Sequence, residues 1–338
     1  MTADPAPLIA TVLQAFGLEH ARSIQALGGT ATPKWAVTTR TGRYVVRIRP
    51  TQFAGPDCVS FDHAVLLRLA AGGLPVPRPL VTTAGETVLR RNGLVIEVLT
   101  WIEGAPWADG DPAALRGVGT FLARFHAIGA GDFPAGKQDQ RREDHPDALQ
   151  PGLDALRERT TDPGQRRQLD AIDDLLARGR RELEASLYAS LPRAVIHGDF
   201  HPGNVRFRGP AVAALYDFDY LAVQARARDV VDALMFFASR RSAPFEPDLI
   251  RSLTQPFVPD LAAAQAVLAG YQAISPLTAG EWQALPLLLR SRWIQMRLRG
   301  SRKVPPAEQS GFVLADFFTV PDWLEGPGRD FFSRLHET

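Results

Sequence analysis

The densest polar stretch set in an apolar frame is Val195-Ile196-His197-Gly198-Asp199-Phe200-His201-Pro202-Gly203-Asn204-Val205. Thirteen residues beyond Asn204 stands Asp217, within Leu215-Tyr216-Asp217-Phe218-Asp219. Gly198, Pro202 and Gly203 forbid a helix, so the polar side chains must project from a loop between two short strands. Phosphoryl transfer to a hydroxyl needs such a set. One carboxylate accepts or orients the acceptor's proton, while an amide oxygen and a second carboxylate hold Mg²⁺ against the β- and γ-phosphates. Asp199 suits the first role, and Asn204 with Asp217 the second. A positioned base contributes about 10²–10⁴ in rate, and alignment and charge neutralisation supply the rest. His201 either donates toward the γ-phosphate or caps the loop, and His197 is expected to pack against Phe218. A zinc hydrolase built from His197, His201, Asp217 and Asp219 is the competing chemistry. No further His-rich motif completes such a site, and it leaves Asn204 without a role.

The elements that must carry these residues are legible from periodicity. Leu8, Ile9, Val12, Leu13 and Phe16 recur at helical spacing, and Gly17 can end that helix. Runs 34–39 and 43–49 read as strands joined by the turn Arg40-Thr41-Gly42. Residues 58–71 read as a helix, the Gly- and Pro-rich 72–79 as a loop, and Leu94–Trp101 as a buried strand. A lobe boundary is expected near residue 100, dividing 1–100 from 101–338. Beyond it the chain is mainly helical, with patterns at 115–125, 169–183, 226–240, 260–273 and 279–300, and short strands between 193 and 220. The Pro-, Gly- and charge-rich 131–164 is expected to be a loop.

His-Gly-Asp-Phe-His-Pro-Gly-Asn followed by Asp-Phe-Asp resembles the catalytic and metal-binding loops of the aminoglycoside phosphotransferase/choline kinase superfamily, the small-molecule branch of the protein-kinase fold. The resemblance covers roughly residues 20–105 and 190–300. It implies a two-lobed, protein-kinase-like α+β fold, with a small antiparallel-sheet lobe for the nucleotide and a large helical lobe for catalysis and the acceptor. It also implies ATP as co-substrate, Mg²⁺ as cofactor and a small-molecule hydroxyl as acceptor. By the same resemblance Gly28, Gly29 and Thr30 cover the phosphates, and Arg47 in Tyr44-Val45-Val46-Arg47 is the phosphate-pairing cation. Lysine is scarce here (Lys34, Lys137 and Lys303), so Arg47 or Lys34 must serve, and a guanidinium fork can bind two phosphate oxygens. Asp62 takes the place of the helix acid that pairs with that cation, and an Arg47–Asp62 pair is expected. Backbone groups at Thr100 and Trp101 would read adenine, and Asp229 matches an Asp that buttresses the catalytic loop. Leu277 to Arg290 is similar, more weakly, to the late helices of the kinase-fold type of homoserine kinase; His201 departs from that enzyme, which has an apolar residue there.

Composition narrows the partners. The chain has 338 residues, with Lys+Arg 38 against Asp+Glu 37, which gives no electrostatic footprint for nucleic acid or a membrane surface. There is no run of about 18 apolar residues and no basic, apolar leader at the start, so neither a membrane span nor a secretory signal is expected. The single cysteine, Cys58, fits a reducing, cytoplasmic setting. Gly131 to Gln138 nearly spells a phosphate-binding loop, but Gln138 replaces the metal-ligating hydroxyl, and the segment is set aside. Residues 290–303 carry Arg290, Arg292, Arg297, Arg299, Arg302 and Lys303 with no acid among them. They read as a solvated basic face or as attraction for an anionic or zwitterionic acceptor. Residues 241–338 hold ten acidic and ten basic side chains, no surplus for a polycationic aminoglycoside, so an antibiotic kinase is the less favoured reading. A Ser/Thr protein kinase and a nucleotide-binding pseudokinase stay open as alternatives.

Overall fold

The sheet of the first lobe is built so that one face is oily and the other charged. In a computed structural model, which describes residues 4–28, 32–108, 110–134, 136–137 and 145–337, α1 (Ala6–Ala15) precedes β1 (Ser23–Leu27), β2 (Lys34–Thr38) and β3 (Arg43–Ile48). Then come α2 (Pro56–Ala71), β4 (Leu89–Arg91) and β5 (Leu94–Thr100). The five strands pair antiparallel in the order β1-β2-β3-β5-β4. Side chains alternate between faces along a strand. Val37, Val46, Ile96 and Val98 therefore pack with Ile9, Val12 and Leu13 of α1. The register sets Lys34 opposite Arg47, and Arg47 opposite Glu97, so a charged row crosses three strands. Arg49, two residues beyond Arg47, belongs to the same side.

The second lobe is helical and surrounds short hairpins. Its elements are α3 (Pro112–Ile128), α4 (Pro146–Arg159), α5 (Pro163–Glu182), α6 (Ala185–Ser190), β6 (Arg193–Ile196), β7 (Val205–Arg208), β8 (Ala211–Leu215) and β9 (Ala222–Ala225). They are followed by α7 (Ala227–Phe236), β10 (Ser239–Arg241), α8 (Ile250–Leu253), β11 (Phe257–Pro259), α9 (Leu261–Gln272), α10 (Ala279–Ser301), α11 (Gln309–Leu314), α12 (Thr319–Glu325) and α13 (Pro327–His336). β6 pairs with β9 and β7 with β8, which presents the 197–204 loop and the residues after β8 side by side.

Two expectations fail here for physical reasons. The stretch 131–164 is not all loop, because α4 fills 146–159. Pro146 sits in its first turn, where a missing N–H costs nothing, and Leu149, Leu153 and Leu156 bury one stripe. The basic run 290–303 is not a solvated face along its length. α10 lies at the centre of the lobe, and Arg290, Arg292 and Arg297 are buried with it. Arg290 meets Glu182, Arg292 Nε lies 2.7 Å from Asp232, and Arg297 donates to the carbonyls of Thr254 (2.6 Å), Phe312, Val313 and Ala315. Buried charge is tolerable only when so paired. A Thr278/Glu281 capping box starts α10, and Glu281 also grips Arg226 at 2.8 Å.

Candidate active site

The 197–204 loop is held from beneath. Asp229, in the first turn of α7, accepts the amides of His197 (2.6 Å) and Gly198 (3.0 Å), as expected for a buttress. Asp232, one turn on, accepts the Phe200 amide and pairs with Arg228 and Arg292. Gly198 has φ +78°, and a Cβ there would lie 2.4 Å from the Tyr220 carbonyl oxygen, so only glycine fits the turn. His197 uses both ring nitrogens on backbone: Nδ1 accepts from the Asp199 amide, and Nε2 donates to the Tyr216 carbonyl at 2.9 Å. Its ring packs edge-on against Phe218 at 5.2 Å, as anticipated. The zinc reading fails on this geometry. Among the described residues no cluster of His, Cys, Asp or Glu could hold a metal by itself.

Asp199 projects a carboxylate that is one-third exposed (32%). Burial alone would raise its pKa, but His201 and Arg292, with Arg292 Nη2 3.6 Å away, hold it well below the ordinary carboxylate range. His201 caps the loop, since its Nδ1 accepts from the Gly203 amide at 3.1 Å. Its Nε2 faces Asp199 at 3.5 Å and Asn204 at 3.2 Å. Asn204 donates its Nδ2 to the Asp199 carbonyl at 3.0 Å, which leaves Oδ1 as the amide's open acceptor. Asp217 follows β8 in a left-handed conformation (φ +61°). Lys34 at 3.3 Å and Arg47 at 3.8 Å outweigh its burial and keep its pKa low.

The expected Arg47–Asp62 pair is not formed. Register sets Arg47 against Glu97, whose Oε1 lies 2.9 Å from Nε, and its fork reaches across to Asp219. Asp62 on α2 instead meets Arg49, and Arg49 also reaches Glu97 at 2.9 Å. The second partner of Asp62 is Lys137, from the segment set aside as a false phosphate loop. Its Nζ lies 2.8 Å from the Asp62 carboxylate and 2.8 Å from the Asp219 carbonyl oxygen, and 4.6 Å above the Phe53 ring. Glu97 completes the cluster by meeting His63 at 2.7 Å.

Arg47, Asp199, Asn204 and Asp217 face one cleft of about 260 Å³ between the lobes. Gly28 lines its mouth beside Asp248, while Gly29 and Thr30 lie outside the described residues. The expectation that Thr100 and Trp101, at the hinge between the lobes, read adenine needs correction for their amides. Thr100 N–H donates to the Arg78 carbonyl and Trp101 N–H to the Arg43 carbonyl, so neither amide is open to a base. Ile102 presents N–H and C=O together, and both meet the Tyr216 hydroxyl, at 2.9 and 2.6 Å. Sequence reasoning also missed Glu97 and Arg49, gave Asp219 a role only in the zinc reading, and set Lys137 aside with its phosphate-loop look-alike. A lone acid inside Val95-Ile96-Glu97-Val98 and a second arginine at strand spacing were available signals.

A small antiparallel lobe over a helical one, with this set of groups between them, defines a kinase that transfers phosphate to a hydroxyl acceptor. The chain belongs to the phosphotransferase enzyme family, whose model matches residues 23–277. It is 28% identical over 313 residues to a homoserine kinase of Methylobacterium radiotolerans, covering 88% of this chain and 87% of that one. It is 30% identical over 285 residues to a homoserine kinase of Methylobacterium nodulans, covering 82% and 80%. Among solved structures it resembles the amicoumacin kinase hAmiN in complex with AMP-PNP and Ca²⁺, with TM-score 0.68, 14% identity, and coverage of 94% and 93%. Among the described residues no helix is long and apolar enough to cross a membrane.

Proposed function

We propose that this kinase transfers the γ-phosphoryl group of Mg²⁺-ATP to the hydroxyl of a small amino alcohol that carries a carboxylate, homoserine being the model acceptor. One observation carries the reading: an ionised, partly exposed Asp199 shares a cleft with Arg47, Asn204 and Asp217. Asp199 accepts the hydroxyl hydrogen bond and takes the proton as the new O–P bond forms. The bond from the β–γ bridging oxygen to the γ-phosphorus breaks, and ADP carries that oxygen away. Arg47 and Lys34, which meet Asp217 in this structure, lie along the path of the triphosphate. Gly28 lines the same cleft.

The residues fit a magnesium ion. Asn204 Oδ1 and the low-pKa Asp217 carboxylate are hard oxygen donors, and Mg²⁺ commonly takes one or two such ligands, with phosphates and water completing the shell. Bound there, the ion would neutralise charge on the β- and γ-phosphates. His201 acts as a positioning residue that joins Asp199 to Asn204. The acceptor class rests on the two relatives' names and on basic residues near the base: Arg299 lies over Tyr220, and Lys303 feels the charges of Asp199 and Asp217. The lone, buried Cys58 suits a cytoplasmic setting.

The test is ADP release with Mg²⁺-ATP across homoserine, choline, sugars, aminoglycosides and a generic protein. Stimulation by homoserine, lost in Asp199→Asn by a factor of about 10²–10⁴, is expected. Stimulation by another member reassigns the acceptor, and near-wild-type turnover in Asp199→Asn removes the base assignment.

A further inference from the structure

The base-reading end of the cleft is already taken by a side chain. Along residues 100–105 the amides of Thr100, Trp101 and Ala105 donate to the carbonyls of Arg78, Arg43 and Phe207. Ile102 is the residue on this rim whose N–H and C=O both turn to a cleft-lining group, and that group is the Tyr216 hydroxyl. A phenol that donates one hydrogen bond and accepts another offers the same complement as the edge of a purine. The contact is well built. Tyr216 N–H donates to the Asn204 carbonyl at 2.8 Å, its own carbonyl accepts from His197, and its ring packs 6.2 Å from Trp101. Arg43 closes over the outer side of that indole at 3.8 Å. On the same wall the buried indole N–H of Trp101 has no hydrogen-bond partner among the described residues, an open donor beside the phenol. The cleft holds about 260 Å³, under the ~300–1,000 Å³ usual for small-molecule sites, so nucleotide and acceptor together require it to open.

We propose that Tyr216 determines how the nucleotide base is read: its hydroxyl competes with the base for the Ile102 backbone pair, so that the base adds little to affinity while the phosphates dominate. The proposal rests on the nucleotide reading above. Tyr216 lies between Ile102 of the hinge and Asp217 of the phosphate end, so it stands where base and triphosphate recognition join. Removing the hydroxyl frees the Ile102 pair while leaving the ring against Trp101.

Calorimetry on the full chain with Mg²⁺ separates base from phosphate, using ATP and inorganic tripolyphosphate as probes. In the wild type ATP is expected to bind less than about tenfold more tightly than tripolyphosphate. In Tyr216→Phe ATP should tighten about five- to tenfold, the worth of one or two neutral hydrogen bonds, with tripolyphosphate unchanged within twofold. ATP binding that is unchanged or weaker in Tyr216→Phe overturns the proposal, as does equal tightening of both probes. If Tyr216→Phe fails to fold, the wild-type ratio decides: a preference for ATP of 10³-fold or more shows the base already well read and refutes the competition. Binding of neither probe to the wild type defeats the nucleotide reading itself, and the proposal with it.

Discussion

Replacing Lys137 with methionine removes an ammonium from a segment that the sequence marked only as a false phosphate loop. Two hydrogen bonds go, a charge-assisted one to Asp62 and one to the Asp219 carbonyl, both 2.8 Å, along with the ammonium's contact 4.6 Å above the Phe53 ring. Such bonds contribute about 1.5–3 and 0.5–1.5 kcal/mol respectively. Against this, burial already pulls the Lys137 pKa down despite Asp62, so some desolvation cost is recovered when the charge leaves. Methionine keeps an unbranched apolar stem against Phe53, which limits the packing loss. A net loss of about 2 kcal/mol is expected. With an unfolding entropy of roughly 2.1 cal/mol/K per residue, a chain of 338 residues should lose about 3 °C in Tm. Thermal melts of Lys137→Met, Asp62→Asn and the double variant measure it. The two changes should couple by at least about 1 kcal/mol, because they share one contact. A shift under 1 °C together with additive single effects would refute the reasoning and leave Lys137 without a stabilising role.

Gly198→Ala should do more harm to rate than to stability. Its Cβ would meet the Tyr220 carbonyl at 2.4 Å in a left-handed backbone, costing about 1–3 kcal/mol. The neighbouring Asp199 would move with it, lowering kcat about 10²-fold. Wild-type kcat in that variant would show the turn is not what places the base. Glu97 supplies a pH test. Arg49 and Arg47 overcome its burial and depress its pKa from the unfolded value of 4.5. The stability it contributes is therefore present above pH 4.5 and lost as pH falls below it. The Tm gap between wild type and Glu97→Gln should narrow as pH falls below about 4.5. A gap that persists unchanged to pH 3 would contradict the assignment.

What the sequence made legible was local. Glycine, proline and acid at short spacing specified the 197–204 loop, and alternation specified β2, β3 and β5 to within a residue or two. The edge strands β1 and β4 were missed, because edge strands need no apolar run, and β4 is only three residues long. α4 was hidden by its prolines. The choice of partner for Arg47 required register between strands some fifty residues apart, which no local pattern encodes. The α10 arginines looked solvated because their partners, such as Glu182, the Thr254 carbonyl and Asp232, come from distant segments.

Arg47 draws its carboxylates from both sides of the cleft, Glu97 from its own lobe and Asp217 and Asp219 from the other. The lobes are therefore expected to fold as one unit. A chain cut after residue 100 would keep a buried guanidinium with one of its three acids. The remainder would hold Asp217 and Asp219 close together without the cation that reconciles them. Breaking a buried pair from one side costs about 3–5 kcal/mol, a large share of the roughly 5–15 kcal/mol that keeps a protein folded. The intact chain should thus melt in a single calorimetric transition, with the division into lobes visible in its architecture and absent from its cooperativity.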